Sequence, residues 1–186
     1  LLAQMLCDPG DVVLVGLPAY TGAIAAFRDV QADLVGVRQE ADGIDLHDLE
    51  TVLVRERAAG KRVNVVYVVP NFQNPTGQLI SLEKRRGLLA LAERNNLLII
   101  EDDPYGELFF GENEAHLTRP IKADDTEGRV VYLSSFSKTL APGFRVAWVV
   151  APEPLVARLD MAKQAADLCT GAPDQRLVFE AWKRRV

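Results

Sequence analysis

The stretch Val63-Asn64-Val65-Val66-Tyr67-Val68-Val69-Pro70-Asn71-Phe72-Gln73-Asn74-Pro75-Thr76-Gly77 decides the fold. Apart from Asn64 and Tyr67, the run 63–69 is β-branched and apolar on both faces. Such a run reads as a strand covered on both sides. It stops at Pro70, in a turn-rich loop that lasts to Gly77. Upstream, Asp45–Ala59 reads as a helix with Leu46, Leu49, Val52 and Leu53 on one face, ended by Gly60. Before it, Asp33–Val37 and Val12–Val15 read as strands, with a short helix over Gly22–Asp29. Downstream, Ser81 caps a helix that runs to Asn95, with Glu83 in its first turn and Leu88, Leu91 and Ala92 as its buried stripe. Leu97–Ile100, Val130–Leu133 and Arg145–Val150 follow as strands, and helices close the chain. Strands alternating with helices make this an α/β fold, a mainly parallel sheet with helices on both faces.

The bulk numbers fit one domain. The chain has 186 residues, 48% of them apolar and 25% charged, which excludes a disordered or low-complexity polymer. A net charge of −5 leaves no electrostatic footprint for nucleic acid. The basic runs Lys84-Arg85-Arg86 and Lys183-Arg184-Arg185 fall on predicted helices and read as solvated faces. Cys7 and Cys169 lie far apart, without disulfide or metal spacing, and are expected to be reduced thiols in a cytoplasmic protein. No run spans a bilayer. The ends read as cut: Leu1–Leu6 resembles the tail of a helix, and a helical pattern is still running from Arg176 to Val186.

In parallel sheets of this kind, ligands bind beyond the carboxyl ends of the strands. The loops after Val69, Ile100 and Leu133 are therefore expected to face one site. The first offers the amide of Asn74, and the second an acid and a phenol in Asp102-Asp103-Pro104-Tyr105. The third offers Ser134-Ser135-Phe136-Ser137-Lys138-Thr139, with Arg145 just beyond. Each has a plain alternative: a turn at Asn-Pro-Thr-Gly, a cap at Asp-Pro, a solvated polar loop around Lys138. Together they supply what pyridoxal 5′-phosphate (PLP) requires. A carboxylate keeps the pyridine nitrogen protonated, donors serve the ring oxygen, a lysine takes the aldehyde, and Ser with Arg takes the phosphate.

The stretches YVVPNFQNPTG, IIEDDPYGELFF and SSFSKTLAPGFRVAW resemble class I/II aminotransferases of PLP fold type I, closest to the aminoadipate, kynurenine and aromatic branch. The resemblance runs from DPGDVVLVGLPAY to KQAADLCT in the family's order. It implies that residues 1–186 form the core of a PLP-binding large domain, with an N-terminal segment and a C-terminal small domain lying outside it. By itself the chain is then expected to lack full transaminase activity. Amino-group transfer from an α-amino acid to a 2-oxo acid such as 2-oxoglutarate is the implied reaction, in a homodimer.

Carried over residue by residue, Lys138 forms the Schiff base with PLP and moves the substrate proton. Asp102 pairs with the pyridine nitrogen, and Asp103 and Glu101 fit that role less well. Tyr105 and Asn74 donate to the ring oxygen. Ser135 and Arg145 hold the phosphate. Tyr20 stacks on the ring, although its spacing suits a core aromatic equally. Gly16-Leu17 and Ala147 depart from the family's usual residues. Two other readings share these contacts: the aminotransferase-like sensor domain of a PLP-binding transcription regulator, and a PLP-dependent lyase. Regulators of that kind usually carry His-Gln where this chain has Phe72-Gln73-Asn74.

Overall fold

Val12 and Leu14 point into one apolar cluster and Val13 and Val15 into another, so the first strand is buried on both sides, as an interior strand of a parallel sheet must be. The computed structural model describes residues 1–110 and 116–184. In chain order its elements are α1 (Leu2–Leu6), β1 (Val12–Gly16), α2 (Thr21–Asp29), β2 (Asp33–Val37), β3 (Gln39–Glu40), β4 (Gly43–Ile44) and α3 (Leu46–Ala58). Then come β5 (Val63–Val68), α4 (Leu82–Asn95), β6 (Leu98–Asp102), β7 (Val130–Ser135), β8 (Ala147–Val150), α5 (Glu153–Asp167) and α6 (Ala172–Lys183). Short 3-10 turns cover Ile121–Asp124 and Pro142–Phe144.

A six-stranded sheet runs β2-β1-β5-β6-β7-β8. Its strands are parallel except β8, which pairs antiparallel with β7. On one face, Leu49 and Leu53 of α3 and Leu88 and Ala92 of α4 pack on Leu14, Val66 and Ile99. On the other, Ala3 and Phe27 pack on Val13, Val65, Tyr67 and Ile100. Burying each side chain the size of Leu49 or Ile99 contributes about 1.5–3 kcal/mol. The predicted caps are made. Asp45 accepts from the backbone N–H of His47 and of Asp48, both at 3.0 Å. Ser81 accepts from that of Lys84 at 3.2 Å.

β1 has β2 on one side and β5 on the other. The chain therefore leaves these neighbours in opposite directions, and a crevice opens above their carboxyl ends.

Three expectations need correction. The last strand begins at Ala147, not Arg145, because Arg145 closes the Pro142–Phe144 turn in the left-handed region at φ 52°. The hairpin β3–β4 is an addition whose two-residue strands are too short for a periodic signal. Arg85 is not on a solvated face. It is 3% exposed, three and seven residues ahead of Leu88 and Ala92 on the buried stripe of α4. Of the second basic run, Arg185 lies outside the described residues, as does Val186.

The interior also holds a buried acid. Glu101 on β6 accepts from the backbone N–H of Ile121 at 2.7 Å and of Lys122 at 2.8 Å. Burial pushes its carboxyl up to about 7, against the pull of those two donors. In the unfolded chain a glutamate titrates at about 4.3. Between these values the folded state binds more protons. The contribution of Glu101 to stability is thus full below about pH 4.3 and is lost as pH rises through about 7. Thermal melts of wild type and Glu101→Gln are expected to diverge in the wild type's favour as pH falls from about 8 to 5. A gap that does not change with pH would remove Glu101 as the titrating group.

Candidate active site

The loops leaving β1, β5, β6 and β7 emerge at one edge of the sheet and enclose a cavity of about 340 Å³. Every candidate side chain lines it: Tyr20 after β1, Asn74 after β5, Asp102 and Tyr105 at the end of β6, Ser135 at the end of β7, and Lys138 and Arg145 between β7 and β8. Val69, Pro104 and Pro142 add apolar wall.

The acidic triplet at the end of β6 separates by strand geometry. Asp102 lies on the same face as Ile100 and lines the cavity, where its Oδ2 accepts from the Tyr67 hydroxyl at 2.6 Å. Glu101 points to the other face and is held by backbone N–H groups. Asp103 turns into a buried polar cluster and accepts from Asn71 Nδ2 at 2.9 Å and the Tyr132 hydroxyl at 3.3 Å. Its carboxylate rests against Gly106, where a Cβ would stand 2.6 Å from Oδ2 and would push the hydrogen-bonded carboxylate out of place. Both alternative acids are thus committed elsewhere. Burial raises the Asp102 carboxyl above its usual range and Asp103 adds to the rise, while the Tyr67 bond lowers it. A positive charge placed against it would be stabilised.

The cluster behind the cavity fixes the loops. Arg85 Nε donates to Ile80 O at 2.8 Å and Nη1 to Arg119 O at 2.9 Å. Its Nη2 donates to Pro70 O at 3.1 Å and Asn71 Oδ1 at 2.7 Å. Gln73 ties the loop of Tyr20 to that of Asn74. Its Nε2 donates to Pro18 O at 2.6 Å, and its Oε1 accepts from Thr76 Oγ1 at 2.6 Å.

At the front, Asn74 Nδ2 stands 3.5 Å from the Tyr105 hydroxyl, and Lys138 Nζ lies 5.8 Å from the Tyr105 ring centre. Ser135 Oγ accepts from the Ser137 backbone N–H at 3.3 Å. Lys138 and Arg145 reach solvent, and Tyr20 is 42% exposed. The cavity therefore presents an amine, a half-buried acid, two phenols, an amide, hydroxyls and a guanidinium to one small volume.

Sequence reasoning missed Tyr67, Asn71, Gln73, Arg85 and Tyr132. Signals existed for two. Tyr67 is a polar tip in an otherwise apolar strand, and Arg85 falls on the apolar stripe of its helix.

The fold and cavity are those of a doubly wound α/β domain with a polar ligand site beside its switch point. The family model "Aminotransferase class I and II" matches residues 1–181, and the chain belongs to that family. It is 40% identical over 183 residues to aromatic-amino-acid aminotransferase 1 of Thermococcus litoralis, covering 98% of this chain and 42% of that protein. It is 41% identical over 183 residues to 2-aminoadipate transaminase of Thermus thermophilus, covering 98% and 45%. The crystal structure of Pyrococcus horikoshii kynurenine aminotransferase, in complex with PMP, superposes with a TM-score of 0.91 at 39% identity. That superposition covers 97% of this chain and 44% of the other. The chain spans less than half the length of these relatives.

Proposed function

We propose that the protein to which this chain belongs moves an amino group from an α-amino acid to a 2-oxo acid such as 2-oxoglutarate, with pyridoxal 5′-phosphate as cofactor. The observation that carries this is the meeting of Lys138 and Asp102, from separate strand ends, on one cavity. The donor set fits the cofactor. Asp102 is a half-buried acid to which, among the described residues, only Tyr67 donates. It would face the ring nitrogen. Tyr105 and Asn74 would donate to the ring oxygen, Ser135 and Arg145 would hold the phosphate, and Tyr20 would cover the ring. When bound, PLP supplies an electron sink for the pair released as the substrate Cα–H bond breaks.

The chain's own residues supply the remainder. Among the described residues Lys138 is the one primary amine on the cavity wall. It takes the substrate proton at Cα and returns a proton on the other side of the transfer. Asp102 holds a positive charge at its carboxylate. Arg145 offers a two-pronged donor suited to a phosphate. Val69, Pro104 and Pro142 exclude water from one wall. We further propose a homodimer in the cytoplasm, with amino acid and 2-oxo acid as partners. Among the described residues no helix is long and apolar enough to cross a membrane, and Cys7 and Cys169 are free thiols.

The test uses the full-length protein to which this chain belongs. Added PLP followed by borohydride is expected to leave a phosphopyridoxyl mass on the peptide containing Lys138. A panel of amino donors with 2-oxoglutarate is expected to yield glutamate. No label, or release of ammonia and pyruvate without glutamate, would overturn amino transfer; the latter result would favour a lyase.

A further inference from the structure

We propose that Tyr67 is a positioning residue that acts through Asp102. Its phenol holds one carboxylate oxygen and leaves the other to the ring nitrogen of the cofactor. This rests on the cofactor reading above and deepens it. Tyr67 pairs in register with Ile100, and Asp102 lies two residues further along the same face of β6, so the phenol reaches diagonally across the strand pair. The 2.6 Å separation is that of a short bond from a hydroxyl to a carboxylate. The donor is fixed on a strand rather than a loop. Its ring is 5% exposed and meets Phe27 edge-on, with centres 5.9 Å apart at 72°. Both burial and the neighbouring carboxylate hold the phenol in its protonated, donating form.

The other titratable groups facing Asp102 are Asp103 beside it and Tyr20, Tyr105, Lys138 and Arg145 around the cavity. Among the described residues none of these donates to its carboxylate. Tyr67 thus fixes the rotamer of the acid and draws off part of its charge. A carboxylate so held is less basic, and a proton between it and a ring nitrogen stays on the nitrogen. Without the phenol the acid is more basic and turns more freely. The proton shifts toward it, and the ring withdraws electrons less strongly.

Tyr67→Phe removes only the hydroxyl and keeps the ring packed on Phe27. In the cofactor-free full chain, carboxyl ¹³C titration is expected to show the Asp102 midpoint rising by about one pH unit. Fluorotyrosine at position 67, a stronger donor of nearly the same size, is expected to move it the other way, so the readout does not depend on the phenylalanine variant folding. With PLP added, the Tyr67→Phe dissociation constant is expected to rise about tenfold. The ¹⁵N signal of the ring should move from protonated toward neutral. In an Asp102→Asn background the same change should add nothing, since the coupling runs through that acid. Asp102 midpoints that ignore both substitutions, in a chain that binds PLP, would overturn the inference. A wild-type chain that takes up no PLP overturns the cofactor reading, and with it the role given to Tyr67.

Discussion

Lys138→Ala is expected to lower amino-transfer turnover of the full-length protein by roughly 10⁴-fold or more, because it removes both the attachment point and the proton carrier. The borohydride label on that peptide should vanish with it. Among the described residues no other primary amine lines the cavity, so none of them can substitute. Lys163→Ala is the matched control. That amine lies on α5 in an i,i+4 pair with Asp167, and its loss should leave turnover unchanged. Small primary amines added to Lys138→Ala should restore part of the proton transfer. A variant that keeps turnover within tenfold of wild type would sink the assignment.

Arg85→Met is expected to cost about 3–5 kcal/mol of stability, the range for breaking a buried charged network by removing one member. The substitution strips the donor from Ile80 O, Arg119 O, Pro70 O and Asn71 Oδ1 together. It also takes a positive charge from beside Glu101 and Asp103, both already raised by burial. For a chain of this size the melting midpoint should fall on the order of 10 °C. Arg85→Lys should recover only part of this, because an ammonium cannot reproduce the fork that reaches several acceptors at once. Urea melts of the three proteins check the ordering. A loss below about 1 kcal/mol would mean that water replaces the guanidinium and the network is not closed.

The main strands were legible because β5 and β1 carry apolar residues on both faces, a pattern that only a two-sided core rewards; their order in the sheet was not. The cavity was legible because strand ends in such a sheet share an edge, so Asn74, Asp102 and Lys138 could be brought together without coordinates. What lay behind it was not. Asn71, Arg85 and Tyr132 act on Asp103 from separate strands, loops and helices, and no local spacing joins them. Lys84-Arg85-Arg86 misled because three adjacent charges hide the single one that turns inward. Arg145 misled in another way. The apolar run after it suggested a strand, while the Pro-Gly before it forces a turn that ends in a left-handed residue.

The strand order has a bearing on how the molecule comes into being. β5 lies on the side of β1 away from β2, and β6, β7 and β8 each lie beside the strand before them. Among the described residues, neighbours in the sheet from β5 to β8 are also neighbours in the chain, so the contacts that join them close short loops. Ser135, Lys138 and Arg145 follow the segments that carry Tyr20, Asn74 and Asp102, so the pocket's amine and guanidinium are the last of its groups to be synthesised.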